Sequence, residues 1–370
     1  MTLKSAQSAE SAESAGSTES PAPVEFGIFD SFDLGRTTPA ELLATRLRFA
    51  AEAERLGIGH YHVTEHHGTP LSVCPSPNLF LAALSQRTTR MRLGALVNVL
   101  PQHDPFRLAE EIGTLDQLTG GRIDFGVGSG VSPYELATFG VDPAQAKPIY
   151  AEALEAVTAA LRTGRFHHEG RLLRSYDAEL SVLPVQRPYP PLWYASGSAG
   201  TAEWAGRHAI NFVTRWNGGA VVETVRTYRD AWERHRHEDG RLNGHVAVPR
   251  VGVAGSVVIA PSEEQARDIF GHANDLFCAR VTHLWHRHGD HRVDTVFATD
   301  AALANGTAYV GTVETVRDLL VHQVESSGVN YFEMSVFFGD MTFDEALFSL
   351  RAFARQVAPA MSAARRRARE

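Results

Sequence analysis

Eight short apolar runs, each followed by an amphipathic stretch with helical spacing, predict a (β/α)8 TIM barrel, an α/β fold, for this chain of 370 residues. Hydrophobic residues make up 44% and charged residues 21%, which suits a large core under an ordinary surface. The formal net charge of -8 argues against nucleic acid or an anionic membrane as the main partner. No apolar run is long enough to span a bilayer as a helix. Two cysteines, Cys74 and Cys278, without CxxC spacing, fit a reducing cytoplasm.

Taken in order, residues 1–23 come first, rich in Ala, Ser, Glu and Pro. They lack the basic and apolar regions of a secretory signal and cannot bury enough surface to offset their ordering entropy, so a disordered tail is expected. The barrel is expected over 24–359 and a frayed basic tail over 360–370, where Arg365 to Arg369 crowd together. Val24 to Phe29 reads as the first strand. Thr38-Pro39-Ala40-Glu41 then opens a helix, with a capping Thr, Pro at the first turn and Glu three residues after the cap. Leu42, Phe49, Ala53 and Leu56 follow at helical spacing, and Gly57 ends it.

The same grammar places strands near 60–65, 92–99, 122–127, 192–195, 209–213, 250–258 and 331–337. Helices are expected near 78–87, 105–118, 143–163, 198–207, 219–237, 262–280, 313–326 and 342–357. Two more capping boxes, Ser262 to Gln265 and Thr342 to Glu345, mark helix starts. Two insertions break the rhythm: residues 164–191 before strand 5, and the His-rich residues 281–308 before the last βα unit. Unpatterned insertions of this length in a compact domain are usually lids or mobile loops.

The active site of such a barrel lies at the C-terminal ends of its strands. Those ends read Asp30-Ser31-Phe32, Glu65-His66-His67, Asn98, Gly128-Ser129-Gly130, Ser196-Gly197-Ser198 and Thr214-Arg215-Trp216. Polar residues and glycines therefore converge on one face. The turn from Ser196 to Thr201 joins a strand directly to a helix, so free N–H groups and the positive dipole end would favour an anion; an ordinary N-cap with tight packing explains it equally well. His66 has an ionisable group suited to general base work near neutral pH, with Glu65 as the orienting carboxylate, against the alternative of a packed structural histidine. His60, His62, His66 and His67 all fall in one expected strand, but His60 and His66 would be about 20 Å apart and cannot share one metal ion. His283, His286, His288 and His291 have ligand-like spacing without a Cys pair and read as a solvated loop, so no metal is expected.

Read together, the motifs resemble one family. They are Glu65-His66-His67, Leu93-Gly94 to Leu100-Pro101, Arg107-Leu108-Ala109-Glu110-Glu111, Gly120-Gly121-Arg122, Phe125-Gly126-Val127-Gly128, Pro191-Leu192-Trp193-Tyr194, Ala199-Gly200-Thr201 and Val310-Gly311-Thr312. Their order and spacing strongly resemble the bacterial luciferase-like flavin-dependent monooxygenases, over Val24 to about Pro359. The resemblance implies a luciferase-like barrel, typically dimeric, using reduced FMN (FMNH2) and O2 through a C4a-peroxyflavin to oxygenate a small organic substrate. An F420-dependent oxidoreductase on the same barrel and a flavin-binding protein without turnover are the alternatives; stoichiometric zinc would revive a metal-dependent hydrolase.

The resemblance also carries residue roles. His66 matches the catalytic histidine. Leu96 and Val97 match the strand-end dipeptide that packs against the flavin, often through a cis peptide. Gly197, Ser198 and Thr201 match the phosphate turn, Lys147 the phosphate-pairing cation, and Trp216 an aromatic wall. Gly128 and Ser129 stand where luciferases carry a reactive cysteine and an arginine; this departure, with the shorter insertion, sets the chain apart from light emission on a long-chain aldehyde. No dinucleotide fingerprint is present, since Gly126-x-Gly128-x-Gly130 lacks the spacing, so a separate flavin reductase is the implied partner.

Overall fold

The computed structural model describes residues 23–215 and 218–367. The tail expected over 1–23 therefore lies, apart from Pro23, outside the described residues. Among the described residues eleven strands form in chain order: β1 (Glu25–Asp30), β2 (His60–Val63), β3 (Arg92–Val99), β4 (Ile123–Gly128), β5 (Arg165–His168), β6 (Tyr176–Glu179), β7 (Leu192–Ala195), β8 (Asn211–Thr214), β9 (Val251–Ile259), β10 (Ala308–Gly311) and β11 (Tyr331–Ser335). The ring runs β1-β2-β3-β4-β7-β8-β9-β11 and closes on β1, all parallel, so the eight expected strands make the barrel. β10 stands outside it. It pairs with Ser256 to Ile259 of the nine-residue β9, whose Gly252 to Ser256 pair with β11.

Helices cover the ring, and their caps follow the expected chemistry. Reciprocal capping boxes form at Thr38/Glu41 and Thr342/Glu345. At Ser262 the forward half is present, with the Gln265 N–H donating to Ser262 Oγ at 3.2 Å. Glycine shapes the barrel interior where backbone and aromatic ring come close. A Cβ on Gly27 would lie 1.9 Å from Tyr331 Oη, and one on Gly252 would lie 2.7 Å from the Tyr331 carbonyl oxygen.

The base of the barrel is filled by charge rather than by aliphatic layers. His60, His62, Asp124, Trp193, Tyr331 and Glu333 all point inward and are buried. His60 Nδ1 lies 2.7 Å from Asp124 Oδ2, and its Nε2 lies 3.2 Å from Glu25 Oε2. His62 Nε2 lies 3.2 Å from the same Asp124 oxygen, and its Nδ1 lies 3.1 Å from Glu333 Oε2. Arg92 pairs with Asp124 at 2.7 Å and Arg250 with Glu25 at 2.9 Å. Burial pushes the His62 imidazole down, but Glu333 and Asp124 outweigh it and lift its pKa to about 9. Asp124, which burial alone would raise, is held well below the usual carboxylate range by Arg92 and His60.

The structure corrects two expectations about the periphery. Residues 164–191 are not an unpatterned lid: β5 and β6 form an antiparallel hairpin that clamps onto the outer helices. Phe166 packs on Phe106 with ring centroids 5.8 Å apart, and Arg174 and Tyr176 both reach Asp104. Nor is the basic C-terminal segment frayed through Arg367. Ala358–Arg367 is a helix with Met361 and Ala364 buried, and Arg365 donates to the carbonyls of Gly328 and Val329. A buried guanidinium satisfied by carbonyl oxygens docks the segment, which local composition could not reveal.

Candidate active site

At the C-terminal ends of the strands a cavity of about 220 Å³ opens. His66 and Glu135 stand on one side of it and Phe29, Leu96, Val97 and Val99 form an apolar strip. β2 ends at Val63, so His66 and His67 belong to the loop beyond it and not to the strand. That loop frees His66 from strict alternation. Its side chain is 20% exposed and its Nδ1 lies 3.1 Å from Glu135 Oε1. With Nδ1 engaged, Nε2 is the ring nitrogen left for chemistry in the cavity.

The orienting carboxylate is thus Glu135 and not the neighbouring Glu65. Glu65 instead ties the loop to the barrel: Oε1 meets His67 Nε2 at 3.1 Å and His103 Nε2 at 2.7 Å, while Oε2 accepts from the Val99 N–H at 2.6 Å. Burial pushes the Glu65 carboxyl up, but these bonds outweigh it and hold its pKa at about 2. The His67 ring packs on Phe139, with centroids 4.6 Å apart. Sequence reasoning missed Glu135, although Ser132-Pro133-Tyr134-Glu135 carries the same Ser-x-x-Glu helix-start pattern used elsewhere. Ser132 does cap the helix Pro133–Thr138 through the Glu135 N–H, but the Glu135 carboxylate also accepts from the His67 N–H at 3.0 Å.

The apolar strip is shaped by local backbone. The Leu96–Val97 peptide bond is cis, and the pairing of β3 with β4 shifts register between Ala95 and Asn98. Gly128 is required beside it, because a Cβ there would lie 2.4 Å from Val97 Cγ2. A cysteine at this position would collide with Val97. Ser129 also lines the cavity, as does Tyr194, a residue that the sequence did not single out. Gln102 is another: its Oε1 is buried without a hydrogen-bond partner among the described residues. A flat, largely apolar ring system with polar edges fits these walls, since the strip offers apolar area and Gln102 and Ser129 offer polar contacts.

The remaining expected residues are more scattered. Ser198 caps the helix Ala199–Arg207, accepting from the Thr201 N–H at 3.1 Å, and its Oγ lies 2.6 Å from Thr201 Oγ1. Gly197 and Ser198 are exposed, as an anion-accepting turn must be, but they do not line the cavity that holds His66. Lys147 is exposed in the first turn of the helix Ala146–Thr163 and likewise stands outside that cavity. Trp216 lies outside the described residues. The His-rich insertion 281–308 docks on the helix that carries Glu135: Tyr134 stacks on His288 at 4.2 Å and donates to Asp290 at 2.9 Å.

Two groups bring metal-ligating atoms together among the described residues. The first is His60, His62 and Asp124 at the barrel base, where all four ring nitrogens already face carboxylates. The second is His286, His291 and Asp294 at the surface, with His286 Nε2 2.6 Å from Asp294 Oδ1. The four histidines of the insertion do not converge, since His288 is committed to Tyr134.

Comparison with known proteins accords with this architecture. The chain is 31% identical over 256 residues to 4-hydroxyprotoasukamycin monooxygenase of Streptomyces nodosus subsp. asukaensis, covering 66% of this chain and 67% of that one. Its fold is similar to that of monooxygenase RslO1 from Streptomyces bottropensis, with TM-score 0.79 and 24% identity over 90% of this chain and 99% of that one. It is also similar to the oxygenating constituent of 3,6-diketocamphane monooxygenase of Pseudomonas putida in complex with FMN, with TM-score 0.74 and 20% identity, over 91% and 98% of the two chains. No described helix is long and apolar enough to cross a membrane. The sequence profile of the luciferase-like monooxygenases matches residues 24–331, and the chain belongs to that family.

Proposed function

We propose that this protein is a monooxygenase that uses FMNH2 and O2 to place one oxygen atom on a small organic substrate, the second oxygen leaving as water. The observation that carries this reading is His66, partly exposed and held through Nδ1 by Glu135, in one cavity with the apolar strip of Leu96, Val97 and Val99. The named relative is a monooxygenase, and one structural neighbour holds FMN on the same fold.

The parts would divide as follows. Leu96 and Val97 would support the flavin ring, with Gly128 leaving room and Gln102 and Ser129 offering polar edges. Ser198, Thr201 and the helix N-terminus behind them would hold the phosphate, with Lys147 as a point charge nearby. Reduced flavin, when bound, supplies the electrons that activate O2. His66 would then take or give a proton at Nε2, its tautomer set by Glu135. The insertion docked on Tyr134 would limit water at the cavity, which matters because water promotes unproductive release of hydrogen peroxide. A separate flavin reductase would deliver FMNH2. Exposed Leu79, Leu118 and Phe139, which line one groove, support a homodimer.

Anaerobic binding titrations followed by oxygen admission test the reading. Reduced FMN should bind and reduced F420 should not, and oxygen added to the FMNH2 complex should release hydrogen peroxide more slowly than free FMNH2 does. Preference for reduced F420 would move the chain to hydride transfer. Flavin binding with unaltered reoxidation would leave a binding protein without turnover.

A further inference from the structure

The paired arginines of this barrel make Arg215 conspicuous. Arg46 stands by Asp30 at 3.4 Å, Arg92 by Asp124 at 2.7 Å and Arg250 by Glu25 at 2.9 Å. Arg215 follows the C-terminal end of β8, at the same barrel end as His66. Among the described residues its hydrogen bond is to the neutral Ser256 Oγ at 3.3 Å, and no carboxylate pairs with it. The ionisable groups facing it are the Cys278 thiol and the Tyr309 phenol, and burial lowers the guanidinium pKa. Arg215 is half-buried, and a guanidinium partly withdrawn from water without an anion is left with desolvation that no partner offsets.

The space beside it is shaped for a ligand. Arg215 lines a cavity of about 330 Å³, separate from the one that holds His66. Asn274 and Thr307 add polar groups to its wall, and Phe297 and Ala302 add apolar surface from the insertion 281–308. The Tyr309 phenol, one of the groups facing Arg215, is buried without a hydrogen-bond partner among the described residues. A cation, neighbouring polar side chains and an apolar wall around one cavity suit an anion with an organic body.

We propose that this cavity binds a small organic acid, with the Arg215 guanidinium pairing to its carboxylate and Phe297 and Ala302 covering its apolar part. A planar guanidinium matches a carboxylate in a two-pronged geometry that a lysine cannot reproduce. The site is independent of the flavin reading, because none of its residues belongs to the His66 cavity.

Thermal melting and calorimetric titration of the full-length protein without flavin test the proposal, with sodium benzoate, acetate and formate as probes. Benzamide, at matched ionic strength, is the neutral control. At least one carboxylate should raise the melting temperature saturably, benzamide should not, and Arg215→Met should weaken that carboxylate by about tenfold or more. Arg215→Lys should recover only part of the binding. Arg215→Met without any probe should melt no lower than wild type, since it removes an unpaired charge. A wild type unmoved by all three carboxylates, an equal response to benzamide, or undiminished binding by Arg215→Met would overturn it. So would a large drop in the melting temperature of the probe-free Arg215→Met protein, which would make the guanidinium a structural group.

Discussion

His62 and His66 lie four residues apart on one segment, yet they inhabit opposite electrostatic worlds. His62 is fully buried at the barrel base, with both ring nitrogens facing carboxylates. His66 is partly exposed at the mouth and has one nitrogen engaged, by Glu135. A histidine with two buried carboxylate partners keeps its proton well past neutral pH and contributes to stability. A histidine with one partner and one open nitrogen can exchange a proton. The contrast teaches that partner count and solvent access, more than residue type, separate structural from chemical histidines in this fold.

Substitution at the mouth should strike activity hardest. His66→Ala should lower coupled turnover about 10²–10⁴-fold with little change in melting temperature or flavin affinity. Near-normal product formation by that variant, or an essential His67, would break the comparison at its functional end.

At the base the effect should appear in stability. His62→Ala strands Glu333 and part of Asp124 in the interior, and should cost about 3–5 kcal/mol in denaturant unfolding. The pH dependence follows from the raised pKa. His62 gains a proton more readily folded than unfolded, so its stabilisation is complete below about pH 6.5 and fades as pH rises through about 9. Unfolding midpoints measured from pH 6 to pH 10 should fall across that window, and less steeply in His62→Ala. Glu65 gives the opposite sign: its contribution is present above about pH 4.5 and is lost as pH falls towards 2.

Two smaller effects sharpen the picture of the mouth. Glu135→Gln keeps a polar group beside His66 Nδ1, but one that can donate as well as accept, so the His66 tautomer is no longer fixed and turnover should fall about tenfold with the melting temperature little changed. Unchanged turnover would reduce Glu135 to a packing role. Ser198→Ala should weaken FMN by about 1–2 kcal/mol while leaving riboflavin unchanged, as loss of one charge-assisted contact to phosphate. Equal weakening of both ligands would remove the phosphate from this turn.

Much of the mouth was legible before any coordinates. His66, Leu96, Val97, Gly128 and Ser129 all line one cavity, because each sits at or just past the end of a barrel strand and closure brings those ends together. Lys147, Gly197, Ser198 and Thr201 were harder to judge, since they stand at helix starts, where position relative to the cavity depends on how each helix leans. The assignment of Glu65 as partner to His66 failed for a concrete reason. The strand ends at Val63, so the neighbouring side chains turn independently and Glu65 meets His103 instead.

Sequence alone determined the order of the eight barrel strands with the main helices between them, and the caps at Thr38 and Thr342. Such features depend on periodicity and on contacts within a few residues, which the chain carries wherever it is cut. Only the tertiary structure decided that Asp124 unites His60 and His62, that Glu135 reaches back over 69 positions to His66, and that Arg215 faces a cavity without a carboxylate. Those pairings depend on which strands become neighbours when the ring closes and on which loops fold over its mouth. Closure is a property of the whole sheet, so no local spacing encodes it.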